Sequence, residues 1–148
     1  MSKRMNDAGY NQSIIIPAYN EEARINRTIK RLVDGFPGQE IIVVCDGQDK
    51  SKEIVNRLSS EYSNILLLSF DGRLGKGGAL VQGFKVAKGQ AICFVDADES
   101  VSIDDLKGMF QALSGVDGVI ASRRIIGSKI LIEQPLERRI ASRAFNIL

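Results

Sequence analysis

Histidine and tryptophan are both absent from the 148 residues of this chain. Without an imidazole there is no Ser-His-Asp or Cys-His nucleophile system, no His-carboxylate metal site and no histidine base. Chemistry here must run on carboxylates, lysine, arginine, hydroxyls and a metal. Cysteine is scarce: Cys45 and Cys93 each close an apolar run. That placement predicts buried, reduced thiols rather than a disulfide. No apolar run approaches the roughly 20 residues needed to span a bilayer. The polar stretch Met1 to Gln12 holds no apolar signal core, which predicts no secretory signal and a cytoplasmic protein. Internal repeats, low-complexity tracts and interdomain linkers are missing too, so the length reads as one domain able to bury a core.

What is present is unevenly charged. Residues 1–122 carry 14 basic and 16 acidic side chains, and residues 123–148 carry 6 basic and 2 acidic. A tail of net +4 on a body of net −2 suggests an anionic partner near the tail.

Short apolar runs alternate with helical patterns. Strands are expected at Ser13–Ile16 (ended by Pro17), Ile41–Val44, Ile65–Phe70, Ala91–Val95 and Gly118–Ser122. The expected helices run from about Asn20 to Asp34, Ser51 to Ser60, Gly77 to Ala87 and Ile103 to Leu113. Asn20 is a suitable N-cap for the first, with Glu21 and Glu22 at the positive end of its dipole. In the third helix, Leu80, Val81 and Phe84 are expected to face inward. Strict alternation predicts an α/β fold with a mainly parallel sheet covered on both faces. Ligands of such sheets bind beyond the carboxyl ends of the strands, where strand order reverses.

Every candidate site residue lies at such an end. The fourth run releases Asp96-Ala97-Asp98-Glu99, in which alternate carboxylates offer hard oxygen ligands suited to Mg²⁺ or Mn²⁺ shared with a substrate's phosphates. The competing reading is that Asp98 or Ser100 caps the following helix. The first run ends in Pro17-Ala18-Tyr19-Asn20-Glu21, with no glycine-rich turn, which argues against a nicotinamide or flavin enzyme. Tyr19 offers a flat ring for a base or sugar and Glu21 an acceptor, against a plain Pro-Asn helix entry. Asp46 could accept from a nucleobase N–H or simply form an Asp-Gly turn. Asp71-Gly72-Arg73-Leu74-Gly75-Lys76-Gly77-Gly78 looks like a P-loop but fails its spacing, with Phe70 and Gly77 at the defining positions. It still suits a backbone-donor loop at a helix start, with Arg73 and Lys76 near a diphosphate.

Taken together, Ser13 to Glu21, Val43-Val44-Cys45-Asp46-Gly47, Gly75-Lys76-Gly77-Gly78-Ala79-Leu80 and Phe94-Val95-Asp96-Ala97-Asp98 resemble the family 2 glycosyltransferases, most closely the dolichyl-phosphate mannose and glucose synthases. Order and spacing agree over about residues 13–125. The resemblance implies a single Rossmann-like GT-A nucleotide-sugar-binding domain at 13–125. A polar segment at 1–12 and a basic amphipathic acceptor-side segment at 126–148 are expected to flank it, the latter either truncated or naturally short. It implies that Pro17, Tyr19, Glu21 and Asp46 contact the nucleoside, with Lys76 near the diphosphate. Asp96 then lies near ribose and metal, and Asp98 binds the divalent cation, Mg²⁺ or Mn²⁺. One departure is visible: the family's first Asp after strand two is Cys45 here.

Leu136–Leu148 reads as an amphipathic helix, with Arg138 and Ser142 four apart and hence on one face. In the polyprenyl-phosphate branch a similar Ser-Arg and Arg-x-x-x-Ser pattern handles the lipid phosphate, which makes Arg123, Arg138 and Ser142 the acceptor-phosphate candidates. Arg139 and Arg143 could face anionic headgroups, placing the protein peripherally at the cytoplasmic membrane face. The implied activity is inverting transfer of a hexose from a GDP- or UDP-sugar to a polyprenyl phosphate, with no nucleic-acid partner. The alternative is a nucleotide-sugar-binding module without turnover.

Overall fold

The computed structural model describes residues 11–121. Internal contacts divide the chain into residues 1–111 and 112–148. The first unit is built from β1 (Gln12–Ala18), α1 (Ile25–Gly35), β2 (Glu40–Cys45), α2 (Ser51–Glu61), β3 (Ile65–Ser69), α3 (Gly75–Val86), β4 (Ala91–Phe94) and nearly all of α4 (Ile103–Ala112). The strands form one parallel sheet in the order β3-β2-β1-β4.

That order fixes the layers. The chain steps outward from β1 to β2 to β3, then returns past β1 to place β4 on its other side. Right-handed crossovers therefore put α1 and α2 on one face and α3 on the other. Strand alternation sorts the core accordingly. Ile14, Ile16, Ile41, Val43 and Cys45 pack with Ile25, Ile29, Leu32, Val55 and Leu58, whereas Ile15, Ile42 and Val44 pack with Ala79. β2, covered on both faces, is apolar from Ile41 to Cys45 and wholly buried, and each such side chain contributes about 1.5–3 kcal/mol of burial.

Four expectations about the elements need correction. β1 does not stop at Pro17 but runs through it to Ala18, pairing Pro17 with Val44. In β1 the odd residues bond toward β4, as Ile15 O does with Val95 N, and the β4 ladder ends at Ile15 and Phe94. Pro17 therefore lacks its N–H where no partner waits.

Asn20 does not cap α1, which starts five residues later behind Arg24 with no side-chain cap. Asn20 instead adopts φ +56, a left-handed conformation that asparagine tolerates, and its Oδ1 accepts from Gln48 N at 2.9 Å.

In α3 the buried residues are Ala79 and Gly83, while Val81 and Phe84 are exposed. A Cβ on Gly83 would lie 2.5 Å from Ile15 Cγ2, so the helix approaches the sheet most closely on its small residues, with Leu80 partly buried beside them and Val81 and Phe84 turned away.

In the second unit α4 ends at Ala112, and Gly115 turns the chain at φ +83. The expected fifth strand at Gly118–Ser122 does not form over its described part, residues 118–121. A strand needs a partner's ladder to satisfy its backbone, and these residues pair with none of the described strands. Arg123, Arg138, Ser142 and the helix expected at Leu136–Leu148 lie outside the described residues.

Candidate functional site

β1 and β4 are the neighbours at which the chain changes direction, so the ligand crevice of this topology lies beyond their carboxyl ends. The face-by-face alternation that directs Ile15, Val44 and Phe94 toward α3 carries on through Pro17 to Tyr19, and one step further to Asp46 and Asp96. Contacts bear this out. Lys76, in the first turn of α3, places Nζ 2.6 Å from Asp96 Oδ1 and 5.7 Å from the Phe94 ring centroid. Arg73 lays its guanidinium over Tyr19, 4.3 Å from the ring centroid.

Asp46 forms no simple Asp-Gly turn. It is buried, and its Oδ2 accepts from Leu74 N at 2.7 Å and Gly75 N at 3.0 Å, tying the end of β2 to the start of α3. Gly75 takes φ +70, a left-handed turn that glycine accommodates, and delivers Lys76 to the crevice. Cys45, one residue earlier, points to the opposite face, among the core residues packed on α1 and α2. Burial pushes its thiol up to about 12, with Asp49 adding to the effect, and burial does the same for Cys93. Both cysteines are free, as expected of inert core thiols.

The loop after β4 carries the two expected metal ligands. Asp98 is not the cap of α4: that role falls to Ser102, whose Oγ accepts from Asp105 N at 3.0 Å and donates to Asp105 Oδ2 at 2.6 Å. The Asp98 carboxylate instead accepts from Ser100 N at 3.0 Å, an Asx turn that shapes the loop. Glu99 follows at φ +58, so the left-handed non-glycine residues among those described, Asn20 and Glu99, both flank the crevice.

Glu21 is placed differently. Its Oε2 pairs with Arg24, at 2.9 Å from Nε and 2.8 Å from Nη2, and its amide donates to Ser51 Oγ at 2.9 Å. Tyr19, Asp46, Arg73, Lys76 and Asp96 thus form one linked cluster at the strand ends. Pro17 lies half-buried just below it, and Glu21 stands at the rim, engaged with α1 and α2.

Sequence reasoning missed the lacing beneath this cluster. Glu22 N donates to Asp49 Oδ2 at 2.8 Å, Ser51 N donates to Asp49 Oδ1 at 3.0 Å, and Lys50 N donates to Glu22 Oε2 at 3.1 Å. Burial alone would raise the Asp49 carboxyl, but the bonds from Ser51 and Glu22 outweigh it and hold the group below the ordinary carboxylate range. Thr28 was missed as well, although the sequence signals it: it is a polar residue on the apolar stripe of Ile25, Ile29 and Leu32.

A parallel α/β sheet with Lys76 and Asp96 paired at a β1/β4 switch point belongs to the doubly wound, nucleotide-binding class of fold. The sequence profile described as "Glycosyl transferase family 2" matches residues 13–147. The chain belongs to that family.

Three relatives illustrate the similarity. Glycosyltransferase AglD of Haloferax volcanii is 32% identical over 94% of this chain and 23% of its own. A dolichyl-phosphate beta-glucosyltransferase of Trichomonas vaginalis is 31% identical over 79% of this chain and 39% of its own. A dolichol-phosphate mannosyltransferase of Mycosarcoma maydis is 32% identical over 92% and 50%. The chain therefore spans half or less of the length of these relatives.

Among solved structures, a mannosyltransferase of Pyrobaculum calidifontis in complex with GDP-Man and Mn²⁺ superposes with a TM-score of 0.63 at 23% identity, over 70% of this chain and 32% of that one.

Proposed function

We propose that the crevice binds a GDP- or UDP-hexose with a divalent cation, and that the protein passes the hexose to a polyprenyl phosphate with inversion. The observation that carries this is the convergence of Lys76 with the Asp96-Ala97-Asp98 loop at the switch point, the ammonium 2.6 Å from the Asp96 carboxylate. A cation and an anion site side by side are what a metal-bridged diphosphate needs.

The donor set fits Mg²⁺ or Mn²⁺. Asp96 and Asp98 are hard oxygen ligands, and among the described residues no three His, Cys, Asp or Glu side chains gather into a closed cage. Two protein carboxylates leave positions for diphosphate oxygens and water, the usual habit of Mg²⁺. Such a cation, when bound, neutralises charge developing on the departing nucleoside diphosphate.

The chain's own residues do the rest. Lys76 moves from Asp96 to the diphosphate and holds its charge through transfer. Arg73 and Tyr19 supply a stacking surface beside the base, and Pro17 walls the crevice. Asp46, rigid through its bonds to the α3 loop, reads the base with Oδ1. Glu21 anchors the rim on the ribose side. Arg123, Arg138 and Ser142 are the candidates for the acceptor phosphate. A lipid phosphate is already an anion, so attack on the sugar needs no strong base, in keeping with a chain that has no histidine. No helix among the described residues is long and apolar enough to cross a membrane.

Calorimetric titration of GDP, UDP, GDP-mannose and UDP-glucose, with and without Mn²⁺, tests the donor site. Metal-dependent binding of one nucleotide class is expected, lost by at least about tenfold in Asp98→Ala. Absence of binding by all four overturns the proposal. Donor binding without transfer to a short polyprenyl phosphate identifies the module without turnover instead.

A further inference from the structure

The carboxylate loop is held by α1 rather than by the helix it leads into. Between the end of β4 at Phe94 and the start of α4 at Ile103 the chain has no regular structure of its own. Val95 N still bonds to Ile15 O at 3.0 Å. Beyond it, alternate residues are taken up by one helix. Thr28 Oγ1 donates to Ala97 O at 2.8 Å, Arg27 Nε pairs with Glu99 Oε1 at 2.8 Å, and an Arg31 Nη2 donates to Val101 O. Residues 97, 99 and 101 are therefore tied to α1, while the candidate cation ligands Asp96 and Asp98 alternate with them.

We infer that Thr28 and Arg27 are positioning residues that set the spacing and direction of Asp96 and Asp98 toward a bound cation. The inference deepens the donor-site proposal and rests on it. Thr28 and Ala97 are each only 3% exposed, so the Ala97 carbonyl has no route to water if the hydroxyl is removed. The competing bond from Thr28 Oγ1 to Arg24 O is longer, at 3.2 Å, so the hydroxyl proton favours the loop. Glu99 sits at φ +58, a backbone state that a non-glycine residue keeps only when its surroundings impose it. Arg27 pairs with the carboxylate of that residue, whose side chain is 18% exposed beneath an arginine that is 72% exposed. Docking of α1 itself does not depend on these polar contacts, because Ile25, Ile29 and Leu32 bury the same helix in the core. Removing the Thr28 hydroxyl should thus loosen the loop without undoing the fold.

The variants are Thr28→Val, which keeps the shape, Thr28→Ser, which restores the hydroxyl, and Arg27→Gln, which is exposed and tolerates change. Amide hydrogen exchange on the ligand-free full chain is the first measurement. Thr28→Val should speed exchange in the peptides covering residues 97–101 by about tenfold and Arg27→Gln by about twofold to threefold, with those of β1 and β2 unchanged, and Thr28→Ser should return to the parent rate. The second is titration with Mn²⁺ plus GDP, and with Mn²⁺ plus UDP, where Thr28→Val should weaken binding about tenfold and Thr28→Ser should rescue it. Unchanged exchange at residues 97–101, or equal acceleration across the sheet, overturns the clamp. Loosened loop peptides with unchanged Mn²⁺-nucleotide affinity overturn its role toward the cation. A parent chain that binds neither Mn²⁺-nucleotide refutes the donor-site proposal, while the exchange comparison still decides whether α1 orders the loop.

Discussion

Lys76 and Asp96 already hold each other at 2.6 Å, so a cation entering the crevice must take Asp96 from an ammonium. Both side chains are about half exposed, which keeps the pair weak and exchangeable. The two roles of Lys76 then have opposite signs in Lys76→Ala. Mn²⁺ alone should bind up to about threefold more tightly, because its competitor is gone. Mn²⁺ with GDP or UDP should bind about tenfold more weakly, because the diphosphate loses a charge-assisted partner. Electron paramagnetic resonance of free Mn²⁺ distinguishes the two, and equal shifts of one sign would refute the exchange.

Cys45 and Cys93 give a second residue-scale prediction. Both thiols are pushed up to about 12 by burial, and both should resist iodoacetamide in the native chain at pH 8 while reacting once unfolded. The folded pKa lies above the unfolded value, so any stability linked to these thiols is intact below about 9 and is lost as pH rises toward 12. Denaturant titrations across that window should show the decline, and replacing both cysteines by alanine should flatten it. The thiols were legible from the sequence because a cysteine ending an apolar run is a core position. The Lys76–Asp96 pair was not, since nothing local joins residues twenty apart.

At the level of elements, α3 is the part most sensitive to a single atom. Its contact with the sheet runs through Ala79 and Gly83, and a Cβ at 83 would meet Ile15 Cγ2 at 2.5 Å. Gly83→Ala gains about 1 kcal/mol of helix propensity but should lose about 1–3 kcal/mol to overpacking, a net destabilisation readable by urea titration. Lifting α3 also moves Lys76 away from Asp96, so donor affinity should fall with stability; a variant as stable as the parent would show that the helix can shift freely. This element also shows where sequence patterns mislead. An apolar stripe of Leu80, Val81 and Phe84 looks like the buried face, yet close helix-sheet packing selects the smallest residues and leaves Val81 and Phe84 exposed. Four strands were readable because their apolar runs are short and bounded; the exceptions are Pro17, opposite the vacant end of the β4 ladder, and residues 118–121, an expected strand that does not form. The late start of α1 was hidden because Asn20 bonds to the next loop, a partner 28 residues away.

Over the whole molecule, what the sequence leaves open is the strand order, because alternation dictates a parallel sheet but not which strands are neighbours. The return from β3 across the sheet to β4 creates the crevice, and it brings four loops distant in sequence to one edge. Motifs at all four strand ends were individually weak, and their meaning came from sharing that edge. The same logic applies to the basic segment 123–148, which carries net +4 and holds Arg123, Arg138 and Ser142. If this segment meets an anionic lipid phosphate, the chain should sediment with phosphatidylglycerol vesicles and not with phosphatidylcholine ones. Added salt should release it, because screening shortens to about 3 Å at 1 M. Arg138→Ala should then reduce transfer to polyprenyl phosphate about tenfold while leaving Mn²⁺-dependent donor affinity within about twofold, since the donor residues belong to the crevice. A uniform loss of both would place Arg138 in the folding of the chain. Retained transfer would remove it from the acceptor site and leave the charge asymmetry to nonspecific membrane attraction.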